Sequence, residues 1–70
     1  MDTAAEKLLR TILTKDYEIE NPDRFLSTLA EEIKNRLDIE GTLTEEDIRS
    51  MPDADFEDAV DFSMWYSRDN

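Results

Sequence analysis

Phe25, Leu26, Leu29, Ala30, Ile33 and Leu37 recur at the spacing that lines one face of an α-helix and no face of a strand. A helix cannot bury such a stripe by itself, so the rest of the chain has to cover it. Two further segments offer matching faces. Ala5, Leu8, Leu9, Ile12 and Leu13 repeat the helical spacing near the start, and Phe56, Ala59 and Val60 repeat it near the end. The expected fold class is all-α: a small compact bundle of three main helices plus one short helix, with residues 1–70 forming one acidic helical domain.

Local signals set the expected boundaries. Thr3-Ala4-Ala5-Glu6 has the form of a capping box and predicts a helix over about residues 3–15, with Glu6 and Arg10 paired one turn apart. Tyr17 and Ile19 alternate with acids in a segment too short for a sheet, so they are expected to fold over the core as an extended connection. Asn21 should cap the second helix, with Pro22 in its first turn. Gly41, the lone glycine, should supply that helix's left-handed cap. Thr44 with Asp47 predicts a short third helix that ends at Met51, because Pro52 disfavours helical geometry before it. Asp53 or Asp55 should cap a last helix running to about Ser67. The expected core is Leu8, Leu9, Ile12, Leu13, Phe25 and Leu29, with Ile33, Leu37, Leu43, Ile48, Phe56 and Val60.

Size and charge narrow the function. A chain of 70 residues hides only about 60% of its unfolded surface, so its core is thin. It contains no cysteine and no histidine, which removes disulfide scaffolds and the usual zinc, haem and imidazole chemistry. Nineteen acids against eight bases give a net charge of -11. Direct binding to nucleic acid or to an anionic membrane is therefore not expected, and a basic protein partner is. The acidity is uneven: residues 1–37 carry a net -2 and residues 38–70 a net -9. No apolar run approaches the roughly 20 residues that span a bilayer. The first residues, MDTAAEKLLR, lack the features of a secretory signal, so a cytoplasmic location is expected.

Candidate sites are few. Asp53-Ala54-Asp55-Phe56-Glu57 resembles the start of a calcium loop, but the position that needs glycine is Asp58 and the one that needs glutamate is Met64. Helix capping and a solvated face explain these acids better, and no metal or other cofactor is expected. No phosphate loop or nucleophile motif occurs, and so short a helical chain leaves little room for a pocket, so catalysis is not expected either.

The last helix is the informative one. Projected at 100° per residue, Phe56, Ala59, Val60 and Ser63 share one face, with Met64 and Tyr66 on its flanks. Asp58, Asp61 and Trp65 fall opposite, with Phe62 on the border. Two outcomes follow for Trp65: the last turn packs on the first helix and covers it, or it stands exposed among carboxylates as a binding patch. Asp55, Asp58 and Asp61 are three residues apart, an arrangement that costs about 0.2–0.5 kcal/mol per like-charged pair.

Such self-repulsion serves solubility, or it is relieved by a cationic partner. The expected function is a non-enzymatic interaction module that binds and modulates a basic protein through Asp55, Asp58, Asp61, Phe62, Trp65 and Tyr66. The first alternative is a nucleic-acid mimic that inhibits a nucleic-acid-binding protein, by analogy of size and charge with small phage-encoded inhibitors. The second is a homodimeric structural subunit with Phe62, Trp65 and Tyr66 buried between protomers.

Overall fold

Asp2 opens the first helix, α1 (Thr3–Lys15): its backbone is extended and its carboxylate accepts the Ala5 amide at 2.7 Å. The box expected from Thr3 and Glu6 does not form. Thr3 lies one residue inside the helix, and the cap is instead a carboxylate that also complements the positive helix end. Glu6 reaches Arg10 at 3.8 Å, and Arg10 in turn donates to Asp23 at 2.8 Å, tying α1 to the next helix. The computed structural model describes residues 1–68, with Arg68 described by its backbone alone.

After α1 the chain reverses through Glu18, whose φ of 54° is left-handed, and the Ile19 amide donates back to the Leu13 carbonyl at 3.0 Å. That turn lays Tyr17 and Ile19, both half-buried, against the core as expected. Helix α2 (Asp23–Leu37) is capped at Pro22 and not at Asn21, and no side chain bonds its free amides. Its end also differs from expectation. Asp38, not Gly41, takes the left-handed conformation (φ 58°, ψ 46°), and the Ile39 amide donates to the Lys34 carbonyl at 2.9 Å to close the last turn.

Helix α3 (Glu45–Ser50) carries the expected capping box in full: the Asp47 amide donates to Thr44 Oγ1 at 3.3 Å and the Thr44 amide to Asp47 at 3.1 Å. It stops at Met51, whose ψ of 131° is what a following proline favours. Helix α4 (Asp53–Arg68) then starts one residue earlier than a capping aspartate would allow. The Pro52 carbonyl accepts the Phe56 amide at 3.0 Å, so Asp53 and Asp55 both lie inside the first turn.

The four helices close around one apolar cluster, and no strand occurs among the described residues. Leu9, Leu13, Leu29, Ile33, Leu43 and Val60 form its centre. Helices α2 and α4 make the most extensive pairing, while α1 lies against α3 and α2. Small buried residues on the pairing helices, Ala30 on α2 with Ala59 and Ser63 on α4, let the backbones come close. Ser63 is buried without penalty because its hydroxyl donates to the Ala59 carbonyl at 2.8 Å.

Phe25 is a correction to the expected core. It is half-buried, and Leu26 is inside instead. On a helix, Phe25 sits about a quarter-turn from the middle of the stripe formed by Leu26, Leu29, Ala30, Ile33 and Leu37. Leu8, Ile12 and Leu37 also stand at the rim of the core, half-buried, and not within it. The radius of gyration, 10.9 Å, matches the roughly 11 Å of a well-packed chain of this length.

Candidate functional site

Helix α4 puts apolar residues on two faces. Phe56, Ala59, Val60 and Ser63 are buried against the other helices, as their projection requires. Phe62, Met64, Trp65 and Tyr66 are not needed there and stand in solvent, with Trp65 55% exposed and Tyr66 49%. Of the two outcomes open to Trp65, exposure is the one found.

The three rings form a connected group. Phe62 and Tyr66 are stacked with centroids 6.0 Å apart and 25° between planes, and Trp65 leans on Phe62 at 6.1 Å and 42°. Spacings of three and four residues put Asp55, Asp58, Phe62 and Trp65 on one ridge, with Asp61 beside it. Asp55, Asp58 and Asp61 are all exposed. The six candidate residues therefore fall on one continuous stretch of helix surface, acidic at its N-terminal end and aromatic at its C-terminal end.

Not every acid on this helix lacks a local reason. Asp53 and Asp55 lie in the first turn, where the positive end of the helix stabilises them. Asp58 and Asp61 lie beyond it. Every ion pair among the described residues is on α1, α2 or α3: Glu6–Arg10–Asp23, Glu31–Lys34, Glu32–Arg36 and Glu45–Arg49. Among the described residues, none involves a side chain of α4. The carboxylates of its middle turns face water, and no described cation is paired with them.

At the far end, Arg24 of α2 donates to the Ser67 carbonyl at 3.4 Å, supplying positive charge where the helix end is negative. Beside the rings a groove of ≈ 380 Å³ runs between Phe62 and Tyr66 and the Thr28, Glu31 and Asn35 side of α2. It extends the aromatic surface onto a second helix, a feature that projecting α4 alone does not reveal.

The structure also differs from the expectation that so short a helical chain leaves little room for a pocket. A cleft of ≈ 600 Å³ opens between α1, α3 and α4, where α1 and α4 make no extensive pairing. Tyr17 forms part of its wall, with its ring 6.3 Å from that of Phe56. Burial raises the Tyr17 pKa above its ordinary 10.0, and the charges of Glu57, Asp61, Asp16 and Asp53 push it further in the same direction. No group of three or more acidic, histidine or cysteine side chains that could hold a metal occurs among the described residues. No helix among them is long and apolar enough to cross a membrane.

Comparison with protein-family models, with curated proteins and with solved structures finds no match to this chain.

Proposed function

We propose that this protein is a non-enzymatic interaction module whose α4 ridge binds and modulates a basic partner protein. The observation that carries the reading is the exposed group of Trp65 and Tyr66 packed on either side of Phe62, beside Asp58 and Asp61, which have no ion pair among the described residues. Exposed aromatic rings are strong anchors in interfaces, and their faces attract the guanidinium and ammonium groups that carboxylates also attract. One surface thus offers two complementary reasons for a cation to settle on it. In this reading the carboxylates steer the approach and Trp65 holds the complex.

A nucleic-acid mimic is the second reading, favoured by the run of acids along α4 from Asp53 to Asp61 without a base among them. Successive members three or four residues apart stand about 5–6 Å from one another, in a line that a phosphate-binding groove could accept. A homodimer formed through the rings is the third. It would bring together two chains that each carry -11, which works against it.

One set of measurements separates the three. A partner captured from cell extract is assayed for affinity with the parent chain, with Trp65→Ala and with single Asp→Asn changes at Asp55, Asp58 and Asp61. The anchored reading expects Trp65→Ala to cost at least about 2 kcal/mol and each charge change roughly 0–1 kcal/mol. Mimicry expects the reverse order, steep weakening by salt, and mutual exclusion with DNA. A dimer in sedimentation that Trp65→Ala dissociates supports the structural subunit.

A further inference from the structure

The cleft between α1, α3 and α4 shares no residue with the ridge. Its floor is Ile48, Met51 and Phe56, all buried, and its walls are Leu8, Ile12 and Tyr17, all half-buried. Tyr17 lies tilted at 45° to Phe56, which gives the wall a broad aromatic face. Three carboxylates stand at the rim: Asp16 just after α1, and Asp53 and Glu57 on α4. None of the three has an ion pair or a side-chain hydrogen bond among the described residues. The base at the rim, Arg49, is already held by Glu45 at 2.8 Å. The mouth therefore keeps an excess of negative charge around an apolar floor.

We propose that this cleft docks a short basic amphipathic peptide segment of another protein, with a bulky apolar side chain over Met51 and Phe56 and lysines or arginines against Asp16, Asp53 and Glu57. Charge complementarity selects this occupant. A second copy of the chain would bring like-charged rims together, since each carries -11. A small organic cation could meet one carboxylate but not three that come from the α1–α2 connection and two turns of α4. Asp53 and Glu57 are four residues apart, about 5–6 Å on one face of the helix, so neighbouring cations of one peptide can engage both. Tyr17, neutral at physiological pH like any tyrosine, adds a phenol hydroxyl to the lining of the same cleft.

The test is a titration of the isotopically labelled full chain with a short amidated peptide of lysines and leucines around a central phenylalanine, followed through backbone amide shifts. Saturable shifts at Tyr17, Ile48, Met51 and Phe56 are expected, with the amides of Phe62 and Trp65 unmoved. The Asp53→Asn, Glu57→Gln double variant should weaken binding about tenfold, the combined effect of two exposed ion pairs. The spectrum of the free variant reports whether it folds. Asp16→Asn, which lies outside every helix, should weaken binding in the same direction without touching α4.

Trp65→Ala should leave this affinity unchanged, so failure here and failure of the α4 ridge are distinguishable. The proposal is overturned by shifts confined to Phe62, Trp65 and Tyr66, by no saturable shift, or by affinities of the double variant and of Asp16→Asn that both equal the parent's. Equally tight binding of hexylamine would make the cleft a small-cation site, and shifts at the same amides on concentrating the chain alone would make it a contact between copies. Either result also overturns the proposal.

Discussion

Two residues of the α2–α3 connection have exchanged the roles their chemistry suggests. Asp38 holds the left-handed conformation that costs non-glycine residues about 1 kcal/mol or more. Gly41, three residues on, does not use its freedom: its φ is not positive, and a methyl group built there would meet nothing within 4 Å. The glycine therefore costs the folded state entropy without supplying a turn. Gly41→Ala should stabilise the protein by about 0.4–1 kcal/mol, because it restricts the unfolded chain at no cost to the native one. Asp38→Gly should not destabilise it, since relief of the left-handed strain offsets the added flexibility. Urea midpoints of both variants check this. A loss of stability in Gly41→Ala would mean that the connection needs a conformation closed to alanine.

At the level of the helix, α4 is loaded against itself. Asp53 with Glu57, Asp55 with Asp58, and Asp58 with Asp61 are like charges at one-turn spacing, and none of them has an ion pair among the described residues. Removing the middle charge relieves two of these contacts. Asp58→Asn should raise stability by a few tenths of a kcal/mol, about 0.2–0.5 for each pair. Added salt should raise the melting temperature of the parent chain more than that of the variant, because screening does the same work. An equal salt response in both would show that these carboxylates do not interact in the folded state.

Periodicity made much of this arrangement legible beforehand. The buried face of α4 and the exposure of Asp58 and Asp61 follow from angular position, which left Trp65 open between two outcomes, and α3 is legible because Thr44 and Asp47 have one sensible way to bond. At α1 the neighbours Asp2 and Thr3 compete for the same free amides, and spacing cannot rank such competitors. At α2 no side chain bonds the first amides at all, and Asp38 takes the left-handed cap ahead of Gly41. Phe25 is strongly apolar, but its angle to the stripe and not its hydrophobicity sets its burial. The cleft was not readable at all. It lies where α1 and α4 make no extensive pairing, which depends on how three helices pack together and leaves no mark in any one of them.

Across the whole molecule, charge from separate elements converges on Tyr17. Burial first, then Glu57, Asp61, Asp16 and Asp53, raise its folded-state pKa above 10.0. A raised pKa means that the folded state holds this proton more tightly than the unfolded chain does. The resulting stability is complete below the unfolded pKa and is lost as pH climbs from about 10 through the higher folded value. Tyr17→Phe has no proton to lose, so its urea midpoint should fall less between pH 9 and the alkaline limit of the transition. Parallel pH profiles for parent and variant would show that the carboxylates around Tyr17 do not act on its hydroxyl.

Trp65 is the chain's one tryptophan, and more than half of it is in water. Its emission is therefore already that of a hydrated indole in the native protein, and unfolding has little left to change. The wavelength of its emission maximum should hardly move through a thermal melt while circular dichroism records a full transition. The same property makes Trp65 a silent-background reporter. A blue shift on adding a partner signals that the ridge has been covered, whereas a ligand seated in the cleft leaves the spectrum where it was.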